Sequence, residues 1–145
     1  MAHLAGLPSP PDVDGVDLSA LYMDPHPTTP TKPNMAFSEY PRCAPPDSPW
    51  DDRTSCVHTQ RENFTVMGYS VRVPDWRYTA WMWWDGSKLA GDFTRPAAGV
   101  ELYAHSGDDE SDFDLYENVN VATVPANKAV VAQLHKLVQQ QWDVK

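Results

Sequence analysis

Two stretches of the chain alternate apolar and polar positions with a period of two. In Phe64 to Val73, Met67, Tyr69, Val71 and Val73 share one side, while Gly68, Ser70 and Arg72 share the other. In Arg77 to Trp84, Tyr78, Ala80 and Met82 oppose Arg77, Thr79, Trp81 and Trp83. Pro74-Asp75-Trp76 joins the two runs, and turn chemistry between strand-like segments predicts a hairpin. Aromatic bulk on both sides predicts a sheet covered on both faces. Gly99 to Ala104 is a further strand candidate, and Met35 to Tyr40, which alternates in part, is a shorter one. The period changes at Pro125 to Trp142, where Val130, Leu134, Leu137, Val138 and Trp142 recur at helical spacing and Pro125 stands near the start, where its missing N–H does no harm. The pattern predicts an α+β unit in which this amphipathic helix lies across a small antiparallel sheet of about four strands.

Composition limits the rest of the chain. Its 145 residues fit one domain of ordinary size. Most of the 14 prolines stand before Trp50, and each fixes φ and removes a donor, so residues 1–60 are expected to form an irregular lead-in and 61–145 the sheet and helix. Leu4-Ala5-Gly6 resembles a helix end stopped by Gly6 and Pro8, with the body of that helix expected upstream of Met1. A net charge of −9 argues against a nucleic-acid partner bound over a broad basic face. No stretch approaches the roughly 20 apolar residues of a membrane span, and no targeting signal is legible in this chain.

Candidate chemistry is sparse. Cys43 and Cys56 could form one disulfide in an oxidising compartment or remain two thiols. Asn63-Phe64-Thr65 matches the N-glycosylation triplet. The acidic loop from Asp108 has Phe113 where a calcium loop needs Gly, and the five histidines lack metal-ligand spacing, so no metal site is expected. Consecutive tryptophans in a strand point to opposite sides, which favours packing over a single ligand platform. Arg42, Arg72 and Arg77 are candidates for gripping an anion, against the plainer reading that they pair with the chain's many carboxylates.

Leu4-Ala5-Gly6-Leu7-Pro8 followed by Asp14-Gly15-Val16-Asp17-Leu18-Ser19-Ala20-Leu21 resembles a pattern of the sulfatase family. The ordered segments Ala36 to Arg42, Met67 to Arg72, Trp76 to Trp81 and Glu101-Leu102-Tyr103 resemble sulfatases of the iduronate-2-sulfatase type. The resemblance runs from about Leu4 to Trp142 and implies the C-terminal subdomain of such an enzyme over 1–145, packed on a catalytic domain that this chain lacks. It implies hydrolysis of sulfate esters on a glycosaminoglycan-like sugar, with calcium and the formylglycine nucleophile in that missing domain and no catalytic residue here. Cys43-Ala44-Pro45-Pro46-Asp47 departs from the family's Cys-x-Pro-x-Arg signature at Asp47, so Cys43 is not expected to be a nucleophile. Tyr40, Arg42, Arg72 and Arg77 are the candidates for one wall of the substrate cleft. The implied partners are the catalytic domain and a sulfated carbohydrate, and the implied location is lysosomal, secreted or periplasmic. From a different class comes the alternative of a noncatalytic carbohydrate- or protein-binding module that uses the Trp-rich hairpin.

Overall fold

A computed structural model describes residues 2–13, 17–19, 23, 35–43, 56–109, 111 and 115–143. It divides into two compact units, 1–34 and 35–145. In the first, a short 3-10 turn at His3–Ala5 ends at Gly6, which takes the left-handed conformation with φ 68° and donates its N–H to the His3 carbonyl. Glycine adopts that conformation without the steric cost of a Cβ, so the helix stop at Gly6 has its physical cause. Asp14-Gly15-Val16, Ala20 and Leu21 of the pattern lie outside the described residues.

The second unit holds an antiparallel sheet and one helix, an α+β architecture. Its strands are β1 (Ala36–Arg42), β2 (Val66–Val73), β3 (Trp76–Asp85), β4 (Ala90–Gly91) and β5 (Gly99–Ala104), and the helix is α1 (Lys128–Trp142). β2 and β3 form the hairpin, and Val73 pairs with Trp76. The turn is therefore Pro74-Asp75 alone, and Trp76 is the first residue of β3. β1 pairs with β2 on one side, while β4 and β5 both pair with β3 on the other. β1 runs two residues past the expected end and contains Pro41. A proline is tolerated there because β1 is an edge strand, so its nitrogen owes no ladder bond. The sheet unit thus takes in residues from 35 onward.

One face of the sheet carries the core. Met67, Tyr69 and Val71 of β2, Tyr78, Ala80 and Met82 of β3 and Leu102 of β5 are buried against Leu134 and Val138 of α1. Val130, Leu137 and Trp142, the other positions of the helical pattern, pack on the same cluster, together with Val131. Trp142 reaches the β1 edge of this face, with its ring 4.6 Å from Tyr69 and 5.4 Å from Phe37 of β1. The 3-10 turn Pro125–Asn127, with Pro at its first turn, leads directly into α1. Asn120 caps the outer side of β5: its side-chain oxygen accepts the Leu102 N–H at 3.0 Å and its amide donates to the Val100 carbonyl at 3.1 Å. One side chain thus satisfies backbone groups that a further strand would otherwise pair.

Strand alternation divides the tryptophans. Trp76 and Trp84 lie on the helix side and pack against the core. Trp81 and Trp83 point to the opposite face, which α1 does not cover. Trp81 is half-buried, packed on its own sheet. Its indole lies against Gly68, and a Cβ built there would come within 2.6 Å of the ring.

Candidate functional site

The open face of the sheet is a grid set by register. One cross-strand row is Ser38, Ser70, Thr79 and Glu101, and the next is Tyr40, Gly68, Trp81 and Gly99. The row beyond is Arg42, Val66 and Trp83, with Arg42 at its β1 end. At the turn end, Arg72 pairs with Arg77, and Arg77 with Tyr103. All four cleft candidates, Tyr40, Arg42, Arg72 and Arg77, therefore share this face. The alternation of side chains brings them there, since Tyr40 and Arg42 are two apart in β1 and Arg72 and Arg77 are opposed across the hairpin.

The face is floored by a groove of about 230 Å³. Its floor is polar: the Thr79 hydroxyl donates to Ser70 Oγ at 3.1 Å, and Ser70 donates to the Tyr78 carbonyl at 3.2 Å. One wall is Trp81, whose indole N–H donates to Glu101 at 3.0 Å. That bond fixes the ring over the glycine row. The Arg42 guanidinium stands 5.7 Å from the Trp81 ring centroid, a cation–π distance. Burial, and after it the Glu101 carboxylate, pushes the Tyr103 phenol up from its ordinary pKa, so it stays a neutral hydroxyl across physiological pH.

The four candidates differ in what holds them. Tyr40 is 55% exposed at the rim. Arg72 donates to the Pro74 carbonyl at 2.9 Å and to the Val73 carbonyl, and its other nitrogen faces Asp108 at 3.6 Å. Arg77 is bonded to Glu117. Two guanidinium groups directly opposed on adjacent strands would repel, and each has a carboxylate of its own. Buried His105 joins the two pairs, with Nδ1 2.8 Å from Asp108 and Nε2 3.1 Å from Glu117. Its ring stacks on Tyr116 at 5.9 Å, and its backbone N–H donates to the Asp75 carbonyl at the hairpin turn. Sequence reasoning did not find this cluster, because no fixed spacing links residues 72, 77, 105, 108 and 117. The only available signal was an acidic loop after a strand that pairs with the hairpin.

Cys43 and Cys56 are joined by a disulfide with a Cα–Cα separation of 5.6 Å, just beyond the end of β1. Cys43 is therefore not a free nucleophile here. Asn63 is exposed at the end of the 3-10 turn Arg61–Asn63. Among the described residues no group of three or more His, Cys, Asp or Glu side chains is arranged to hold a metal ion. Neither formylglycine nor calcium fits the residues described.

No family model matches the chain. It is 36% identical to iduronate 2-sulfatase of Mus musculus and 33% identical to iduronate 2-sulfatase of Homo sapiens, over 85 residues in each case. Those residues make up 58% of this chain and 14% of either relative. The chain is thus similar over more than half its length to iduronate 2-sulfatase, and it covers about one seventh of the relatives it matches.

Proposed function

We propose that this chain is the C-terminal part of a sulfatase that hydrolyses sulfate esters on a glycosaminoglycan-like sugar. Its hairpin sheet would support a catalytic domain and present one wall of the substrate cleft. The observation that carries the reading is the similarity to iduronate 2-sulfatase, which two relatives share at 33–36% identity. The chemistry of the open face agrees with it. Tyr40 and Trp81 offer flat apolar surfaces beside hydroxyls and Arg42, the mixture that sugar rings with anionic substituents require. In this reading the formylglycine nucleophile and the calcium ligands belong to the catalytic domain, and the enzyme works in a lysosomal, secreted or periplasmic compartment. Among the described residues no helix is long and apolar enough to cross a membrane.

A second reading, a noncatalytic module that binds a carbohydrate through the hairpin, is favoured by one observation, the Tyr40–Trp81 row on the uncovered face. A segment exchange separates the two. The matching segment of mouse iduronate 2-sulfatase is replaced by this chain, and hydrolysis of an aryl sulfate is followed alongside the isolated chain. The sulfatase reading expects turnover by the chimera and none by the isolated chain. A folded chimera without activity, together with an isolated chain that binds sulfated oligosaccharide tightly, overturns it in favour of the binding module. Turnover by the isolated chain that disappears in Cys43→Ser overturns it differently, by assigning a nucleophile where the bridge now stands.

A further inference from the structure

Asn63-Phe64-Thr65 is the one Asn-x-Ser/Thr triplet in the sequence, and the fold treats its two ends in opposite ways. Asn63 is exposed, and its side-chain amide makes no hydrogen bond among the described residues. Thr65, two residues on, is half-buried and fully engaged. Its hydroxyl donates to the Cys43 carbonyl at 2.8 Å, its N–H donates to the Arg42 carbonyl at 3.0 Å, and its own carbonyl accepts the Trp84 N–H at 3.1 Å. Thr65 therefore ties the end of β1 to the end of β3 at the point where the Cys43–Cys56 bridge begins.

We propose that Asn63 is an N-glycan acceptor that can be modified only before the Cys43–Cys56 bridge closes. In the transfer, the carboxamide nitrogen of Asn63 bonds to the anomeric carbon of a lipid-pyrophosphate-linked oligosaccharide. The bond from that carbon to the pyrophosphate oxygen breaks, the amide loses one proton, and the lipid pyrophosphate leaves. The transferring enzyme must read the Thr65 hydroxyl, as the Ser/Thr requirement of the triplet states. In the folded chain that hydroxyl is bound to Cys43, and the flanking peptide groups are bound to β1 and β3. The triplet can be drawn out into a transferase groove only if those three hydrogen bonds open together, and the bridge holds the β1 end of that arrangement shut. Once folded, the modified chain meets no obstacle, because a glycan on Asn63 projects from an exposed turn into water. The order is thus imposed by geometry: acceptor first, bridge second.

The proposal stands apart from the sulfatase reading, since its test uses neither sulfate ester nor catalytic domain. Detergent-solubilised oligosaccharyltransferase and lipid-linked oligosaccharide are mixed with the full chain in two forms: reduced and denatured, and folded with the bridge intact. Intact mass is then measured. The reduced chain is expected to gain one glycan mass, and Asn63→Gln is expected to lose it. The oxidised chain is expected to remain unmodified over the same period. An unmodified reduced chain overturns the site. Modification of the oxidised chain at the rate of the reduced one overturns the order. Because the reduced chain is also denatured in every variant, no outcome depends on whether a substitution folds.

Discussion

The indole of Trp81 lies on Gly68, its partner across the β2–β3 ladder, so closely that a Cβ on Gly68 would stand 2.6 Å from Cζ3, 2.9 Å from Cε3 and 2.9 Å from Cη2. Three ring atoms meet the added carbon at once, so the ring cannot escape by a small shift at one end. The Trp81 N–H bond to Glu101 also holds it in place.

Gly68→Ala is therefore expected to destabilise the chain by about 1–3 kcal/mol, the range for overpacking a well-filled site. Trp81→Ala, which removes a half-buried ring, is expected to cost a similar amount. In the Trp81→Ala background the Gly68→Ala cost should vanish, because the atoms it collides with are gone. Urea unfolding of the four proteins gives the cycle. Additive costs would mean that the glycine is required for its backbone instead of the ring above it.

The pairing of Arg72 and Arg77 across the hairpin leads to a second expectation. Asp108 is 14% exposed at its side chain and faces both Arg72 and His105. Asp108→Ala withdraws an acceptor from two groups and leaves the His105 Nδ1 side facing no carboxylate. A cost of about 1–3 kcal/mol follows for stranding buried polar groups. By contrast Lys88→Ala, whose ion pair with Asp85 stands at a side chain 75% exposed, should change stability little. Equal thermal shifts for the two variants would show that the cluster around His105 does not hold the loop to the hairpin.

Strand alternation made the hairpin and its two faces legible, because Met67, Tyr69 and Val71 repeat at a period only a strand satisfies. The helical pattern named the residues of α1 that pack, and Gly99 to Ala104 was found at its observed bounds. Pro41 could not be placed in a strand from sequence alone, since its tolerance depends on β1 being an edge. β4 is two residues long and carries no periodicity to read. The neighbours of Trp81 were not legible, because bulk shows that a ring needs neighbours without showing which ones, and here Gly68 and Gly99 of its own sheet supply the space. His105 and His135 were passed over because their partners are distant in sequence, at Glu117 and Tyr78 respectively.

Closing the Cys43–Cys56 bridge constrains the unfolded chain across a sequence separation of 13. A loop of roughly that size is worth about 3 kcal/mol on loop-closure grounds. Reduction is expected to lower the melting temperature by several degrees, and Cys43→Ser should match the reduced protein. Thiol titration of denatured, unreduced material from an oxidising compartment should find no free thiol. Two titratable thiols, or a melting temperature that reductant leaves unchanged, would remove the bridge from the account of stability.

The Tyr78 hydroxyl and His135 Nδ1 are 3.0 Å apart where the core of the sheet meets α1. Burial pushes the Tyr78 phenol up to about 12, so it keeps its proton, and burial lowers His135 from its ordinary value of 6.5. The neutral imidazole then accepts and the phenol donates. The two shifts remove stability at opposite ends of the pH scale. A histidine with a depressed folded value binds a proton more readily when unfolded, so stability is lost as pH falls below 6.5. A tyrosine with a raised folded value holds its proton in the folded state after the unfolded chain has released it. Stability is therefore lost again as pH rises above 10, the ordinary tyrosine value. His135→Gln keeps a hydrogen-bond acceptor on α1 without a titrating group, and should flatten the acid limb between pH 7 and 5 while leaving the alkaline limb in place. Tyr78→Phe should flatten the alkaline limb and expose the unpaired imidazole, at a cost of about 1–3 kcal/mol near neutral pH. Thermal unfolding of the three proteins from pH 5 to 11 tests both limbs, and an acid limb that survives unchanged in His135→Gln would assign it to another group.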